Sequence, residues 1–218
     1  MKKYLFVSLL VISVLFSNSV LAQSSNSLEF SGGIVLPGSS SNGLNAHIQY
    51  NYQFTDDIQF YFYTGYSSWD KFYVTFREDW SEKQNETLFR AASSDDHTLI
   101  PLYIGSRVNV HESSLFNFFI TLEAGYSHLS FSSYEVNKVV DPVSGVVTAY
   151  EADTNTKVEV TENLIGIGAG AGLSCRITEN LTLVFSYKIN NHINSKHYDI
   201  FSSKATYSAF TLGVNFKL

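Results

Sequence analysis

The sequence predicts an all-β fold: an eight-stranded antiparallel up-and-down transmembrane β-barrel. Three observations predict it. Apolar and polar residues alternate with a period of two over runs long enough to cross a bilayer at a tilt. Tight and long connections alternate along the chain, as strands that turn back at two opposite ends require. Past residue 22 no continuous apolar segment has the length of a spanning helix.

The hairpin of residues 98–131 is the clearest element. In its first arm Ile100, Leu102, Ile104, Val108 and Val110 share one parity, against Tyr103, Gly105, Arg107 and Asn109. In its second arm Phe116, Phe118, Ile120, Leu122, Ala124 and Tyr126 oppose Asn117, Thr121, Glu123, Gly125 and Ser127. The tight polar turn 111–114 joins them. Upstream, residues 27–36 carry Leu28, Phe30, Ile34 and Leu36 against Glu29, Ser31 and Gly33. The turn-forming cluster 37–43 follows. Residues 44–54 set Leu44, Ala46, Ile48, Tyr50, Tyr52 and Phe54 against Asn45, His47, Gln49, Asn51 and Gln53. After the tight turn 55–57, Ile58, Phe60, Phe62, Thr64 and Tyr66 face away from Gln59, Tyr61, Tyr63 and Gly65.

Two long, acid-rich connections come next, about 69–97 and 132–160, and part of the first, 72–76, can prolong the strands as a hairpin. Within the second, 141–145 reads as a turn at a hairpin tip. In 162–177 glycines 166, 168, 170 and 172 share the polar parity with Ser174 and Arg176. No lysine-serine or helical pattern follows them, so a phosphate loop is a poor match, whereas glycines on the inner wall of a narrow barrel make room for large neighbours. The tight turn 178–180 leads into 181–189, the polar connection 191–204 and a last strand, 205–218.

The totals agree. The chain of 218 residues is 44% hydrophobic and 15% aromatic, a balance that suits strands with one apolar and one polar face. A net charge of -6 argues against nucleic-acid binding. The single cysteine, Cys175, excludes an internal disulfide. Residues 1–22 carry Lys2 and Lys3, an apolar core and a small-residue end at Ala22, the pattern of a secretory signal peptide cleaved before Gln23. Residues 23–218 are then one barrel domain.

Periodicity alone also fits a soluble lipocalin-like barrel with its faces inverted. The membrane reading is favoured because the polar parity is rich in Gly, Ser, Thr, Asn and Gln rather than charge, and because aromatics sit near the strand ends. Phe30, Tyr52, Phe54, Phe60, Phe116, Phe118 and Phe216 lie by the turns, and Tyr66, Tyr126 and Tyr187 by the loops.

The layout resembles the small outer-membrane barrels of the OmpX, OmpA and OmpW type, in particular the porin-family barrels common in Bacteroidota. The resemblance rests on residues 100–105, on Leu122 to Tyr126, on 168–173 followed by 176–181, and on the closing 212–218. It implies short periplasmic turns, long extracellular loops, residence in the bacterial outer membrane, contact with its lipid and lipopolysaccharide, and delivery by the barrel insertion machinery.

Six polar or charged residues on the inner parity, Glu29, His47, Arg107, Glu123, Arg176 and Lys188, are the candidate interior network. Charges enclosed in so narrow a barrel require partners, so Arg107 or Arg176 is expected to meet Glu29 or Glu123 and plug the lumen. A narrow conduit for small or apolar solutes is the alternative. Trp69, Phe72, Tyr73, Phe76, Trp80, Tyr134 and Tyr150 are aromatics in the long connections that the bilayer does not explain, and they are candidates for binding an extracellular protein or glycan. No enzyme, cofactor or metal site is expected. His192 and Ser195 lack the spacing of the lipid A deacylase barrels, and neither His192, His197 and Asp199 nor His97, Asp95 and Asp96 matches a compact zinc site.

Overall fold

The computed structural model describes residues 26–69, 73–81, 86–112, 115–196, 198–201 and 206–218. The expected leader with its cleavage point at Ala22 lies outside the described residues, as do Phe72 and the side chains of Tyr73, Phe76 and Trp80. Among the described residues nine strands follow in chain order: β1 Ser27–Pro37, β2 Gly43–Gln53, β3 Ile58–Trp69, β4 Tyr73–Ser81, β5 Glu86–Glu112, β6 Phe116–Val140, β7 Val147–Arg176, β8 Leu181–His192 and β9 Thr206–Lys217. One short helix, α1 Tyr198–Phe201, precedes β9.

Eight of these strands close into an antiparallel ring, β1-β2-β3-β5-β6-β7-β8-β9, with β9 returning to β1 so that Phe30 faces Val214 and Ile34 faces Phe210. The strand β4 stands outside the ring and, among the described residues, pairs only with the upper part of β5. Alternation dictates what each face meets. Phe30, Ile48, Phe60, Ile104, Leu122, Ile167, Phe185 and Leu212 all point outward and are exposed. Among the described residues no Asp, Glu, Lys or Arg occupies an outward position along the apolar parity of the ring, the surface a hydrocarbon environment demands. Neighbouring aromatics on that surface pack together, as Phe30 does edge-on against Phe216 at 6.3 Å and Tyr187 does against Phe210 at 4.5 Å.

The tight turns at 55–57 and 178–180 share one device. Phe54 and Thr55 both donate to the Ile58 carbonyl, and Ile177 and Thr178 both donate to that of Leu181. At the opposite end the strands overrun the ring. β6 and β7 stay paired from Phe116 opposite Cys175 to Val140 opposite Val147, and at about 3.3 Å per residue the stretch 132–140 adds roughly 30 Å of ribbon. The connections expected as polar loops at 69–97 and 132–160 are therefore largely β-structure, and with β4 they form a four-stranded sheet standing on the rim.

Two bulges in this sheet lock to each other. On β5, Asp95 faces Ser132 and Thr98 faces Ser130, which leaves an extra residue and Asp96 in the left-handed region at φ 53°. On β7, Val158 faces Ser133 and Asp153 faces Glu135, so residues 154–157 swing out of the ladder. Lys157 Nζ reaches across to Asp96 Oδ2 at 3.1 Å, and Ser132 Oγ donates to the same oxygen at 3.3 Å. The hydrogen bond to Asp96 raises the Lys157 pKa.

Candidate functional site

The lumen is built in three storeys, each set by which residues the inner parity delivers. The middle storey is an ionic belt. Arg107 Nη2 meets Glu29 Oε2 at 3.0 Å, with both side chains almost wholly buried. Lys188 Nζ meets Glu123 Oε2 at 2.7 Å. Glu123 also accepts hydrogen bonds from the Tyr61 hydroxyl at 2.7 Å and the Tyr63 hydroxyl at 2.8 Å. Both cations lie over rings, Arg107 above Phe119 at 4.2 Å and Lys188 above Tyr63 at 4.2 Å. His47 packs edge-on against Tyr63 at 5.4 Å, and Tyr63 stacks on Tyr103 at 5.5 Å.

The glycines of β7 supply the space for this belt. A Cβ on Gly166 would sit 1.9 Å from the Tyr103 hydroxyl, on Gly168 2.9 Å from Glu123 Cγ, on Gly170 2.8 Å from Thr121 Oγ1, and on Gly172 2.2 Å from the Phe119 ring. Beside Glu29, Arg107 and Lys188 lies a void of about 20 Å³, room for about one water.

The turn-end storey is open. A cavity of about 710 Å³ is lined by Gln59, Arg107, Asn117, Arg176, Asn215 and neighbouring residues. Arg176 is exposed at this mouth, on a different level from the carboxylates of the belt, and Lys188 rather than an arginine holds Glu123. The structure thus brings Glu29 to Arg107 and Glu123 to Lys188, with His47 beside the second pair, and places Arg176 at the turn-end mouth.

The loop-end storey is an apolar chamber of Val35, Trp69, Leu99, Leu129, Phe131 and Leu164, filled by Ile200 and Phe201 of α1. Trp69 is 1% exposed, so its placing among loop aromatics that reach a partner is corrected: β3 continues three residues past Tyr66 and the inner parity turns the indole into the barrel. Tyr134 is half-buried and Tyr150 is exposed on the upper hairpin. His97, set inward by the β5 bulge, stacks between Trp69 at 5.3 Å and Phe131 at 5.6 Å. His192 and Ser195 are both buried at this end, the Ser195 N–H donating to the His192 carbonyl at 3.2 Å. Among the described residues no cluster of His, Cys, Asp and Glu is suited to hold a metal ion.

Sequence reasoning missed the inner tyrosines and the α1 insert. Tyr61, Tyr63 and Tyr103 were visible on the polar parity, where a phenol among Gln, Asn and Gly marks a hydroxyl in search of a partner. Nothing of that kind marked Ile200 and Phe201, two apolar residues within a polar connection.

A closed antiparallel ring with an uncharged, apolar exterior and a polar belt across its lumen defines a transmembrane β-barrel. The chain belongs to the outer membrane protein beta-barrel domain family, whose profile matches residues 8–217, and its place is the bacterial outer membrane. Among solved structures, Neisserial surface protein A superposes with a TM-score of 0.55 at 14% identity, covering 90% of this chain and 100% of that one. A major outer membrane protein from Thermus thermophilus gives 0.54 at 11% identity, covering 89% and 100%. The outer membrane protease OmpT of Escherichia coli gives 0.55 at 8% identity, covering 91% and 99%. These likenesses are of fold. Curated proteins provide no match.

Proposed function

We propose that the protein is a closed, non-enzymatic barrel that holds a β-sheet above the outer membrane as a docking platform for an extracellular partner. The observation that carries this reading is the sheet itself. A hairpin needs only a few residues to turn, yet β6 and β7 remain paired to Val140 and Val147, braced by the Lys157–Asp96 bridge. The outer edge of β4 hydrogen-bonds to no other strand among the described residues, and an unpaired edge can take up an extended segment of another polypeptide. The bulge at 154–157 interrupts the other edge, the arrangement by which proteins discourage pairing. The ionic belt and the filled chamber support a lumen closed to solutes. Lipid, lipopolysaccharide and the insertion machinery are the partners implied by the location.

The test is to trim the upper sheet. A chain with 135–156 replaced by a two-residue turn, and a second with 73–92 shortened likewise, should still enter the outer membrane and shift in gel mobility on boiling. Cells carrying them should lose adhesion to surfaces coated with protein or glycan that cells with the full chain retain. Equal adhesion by trimmed and full-length chains would defeat the proposal.

A further inference from the structure

The chamber at the loop end is filled by its own chain, and poorly matched to what fills it. Ile200 and Phe201 are fully buried there, yet α1 is only a four-residue turn of helix. Backbone hydrogen bonds tie this connection to the first loop, Ser39 N–H donating to the Ile200 carbonyl at 3.1 Å and Gly38 N–H to that of Thr206 at 3.2 Å. The Phe201 ring packs edge-on against His192 at 4.8 Å and against Trp69 at 6.1 Å. Both of those side chains are buried, and neither has a hydrogen bond from its ring: His192 Nδ1, His192 Nε2 and Trp69 Nε1 are all without a partner.

Buried polar atoms facing a hydrocarbon insert are costly, and an aromatic face is a weak substitute for an acceptor. A neutral imidazole offers one donor and one acceptor nitrogen, and an indole one donor. The chemistry that would satisfy them is a ring of phenylalanine size that also carries a hydroxyl, since one hydroxyl can donate to the acceptor nitrogen of His192 and accept from a neighbouring N–H.

We infer that this chamber is a binding site for a small phenolic ring arriving from the outer face, and that Phe201 is a displaceable occupant standing in its place. The stand-in lowers the apparent affinity by the fraction of time it occupies the site, so removing it strengthens binding. Conversely, a ring without the hydroxyl gains the apolar contacts and leaves the three nitrogens as they were. The site lies above the ionic belt and is independent of the docking sheet, so either reading can fail alone.

The probes are p-cresol and toluene, which share the methylbenzene frame and differ by one hydroxyl. Binding is read from the methyl resonances of Leu99, Leu129 and Leu164 in protein held in lipid nanodiscs. Phe201→Ala should bind p-cresol at least tenfold more tightly than the unaltered chain and prefer it to toluene about tenfold, and that preference should vanish in Phe201→Ala/His192→Leu. In the unaltered chain p-cresol should also shift the Ile200 methyl signals as α1 moves out. Should Phe201→Ala fail to fold, Phe201→Leu takes its place. Equal affinity for the two probes, or a preference that survives loss of His192, would reduce the chamber to an apolar void and overturn the proposal. So would an Ile200 signal that stays fixed at saturating p-cresol.

Discussion

Glu123 concentrates the internal chemistry of the barrel on one carboxylate. Its oxygens take Lys188, Tyr61 and Tyr63, donors from two other strands, and its side chain is wholly buried. Glu123→Ala leaves the Lys188 ammonium buried without its counter-charge, a change that typically costs about 3–5 kcal/mol. It should appear as a lower urea midpoint for unfolding in lipid vesicles. Replacing both partners with apolar residues, Glu123→Leu with Lys188→Met, should recover most of the loss, because a buried ion pair and a packed apolar pair are often close in free energy. A double variant as unstable as the single one would shift the weight to the tyrosine hydrogen bonds. The membership of this belt was legible in the sequence, since Glu29, Arg107, Glu123 and Lys188 all fall on the polar parity. Their pairing was not, because alternation fixes the face of a residue but not its height along the barrel axis. Height places Arg176 in the open vestibule and Lys188 beside Glu123.

At the scale of elements, the β6–β7 hairpin ends on a turn that depends on one side chain. The Asp141 carboxylate accepts the Val143 N–H at 2.7 Å and the Ser144 N–H at 3.1 Å, while Gly145 takes the left-handed φ of 68° that closes the loop. The backbone hydrogen bond from Ser144, with that from Val143, holds the Asp141 pKa below its ordinary 3.8. A depressed carboxylate pKa contributes stability that is fully present above the unfolded value and is lost as pH falls through the folded one. The tip should therefore be intact at neutral pH and loosen only below the usual carboxylate range, with hydrogen exchange at Val143 and Ser144 accelerating relative to the rest of β6 and β7. Asp141→Ala should show the fast exchange at every pH. Equal protection in the variant and the unaltered chain would remove Asp141 from that role. This turn was readable in advance from its Asp-Pro and Ser-Gly chemistry. The helix α1 was not, for a four-residue element has neither a period nor a cap to announce it, and its burial depends on a chamber assembled from other strands.

For the molecule as a whole, the eight strands of the ring followed from period-two alternation and their up-and-down order from connection lengths, whereas the state of the lumen depends on side chains meeting across the ring. The three storeys imply that the lumen is reachable from the turn end only as far as Arg107, where the vestibule gives way to the belt, and from the loop end only as far as α1. That asymmetry can be measured with single cysteines in a Cys175→Ser background. Asn117→Cys and Asn215→Cys, both in the vestibule, should react with a hydrophilic maleimide too bulky to cross the outer membrane only after the cells are permeabilised. Gln49→Cys, within the belt and 5% exposed before substitution, should resist it on both sides, and so should Leu129→Cys beneath α1. If the two vestibule cysteines were labelled as fast in intact cells as in permeabilised ones, the reagent would have passed through the barrel. The closed-lumen reading would then give way to the conduit, and the ionic belt would become the lining of a pore.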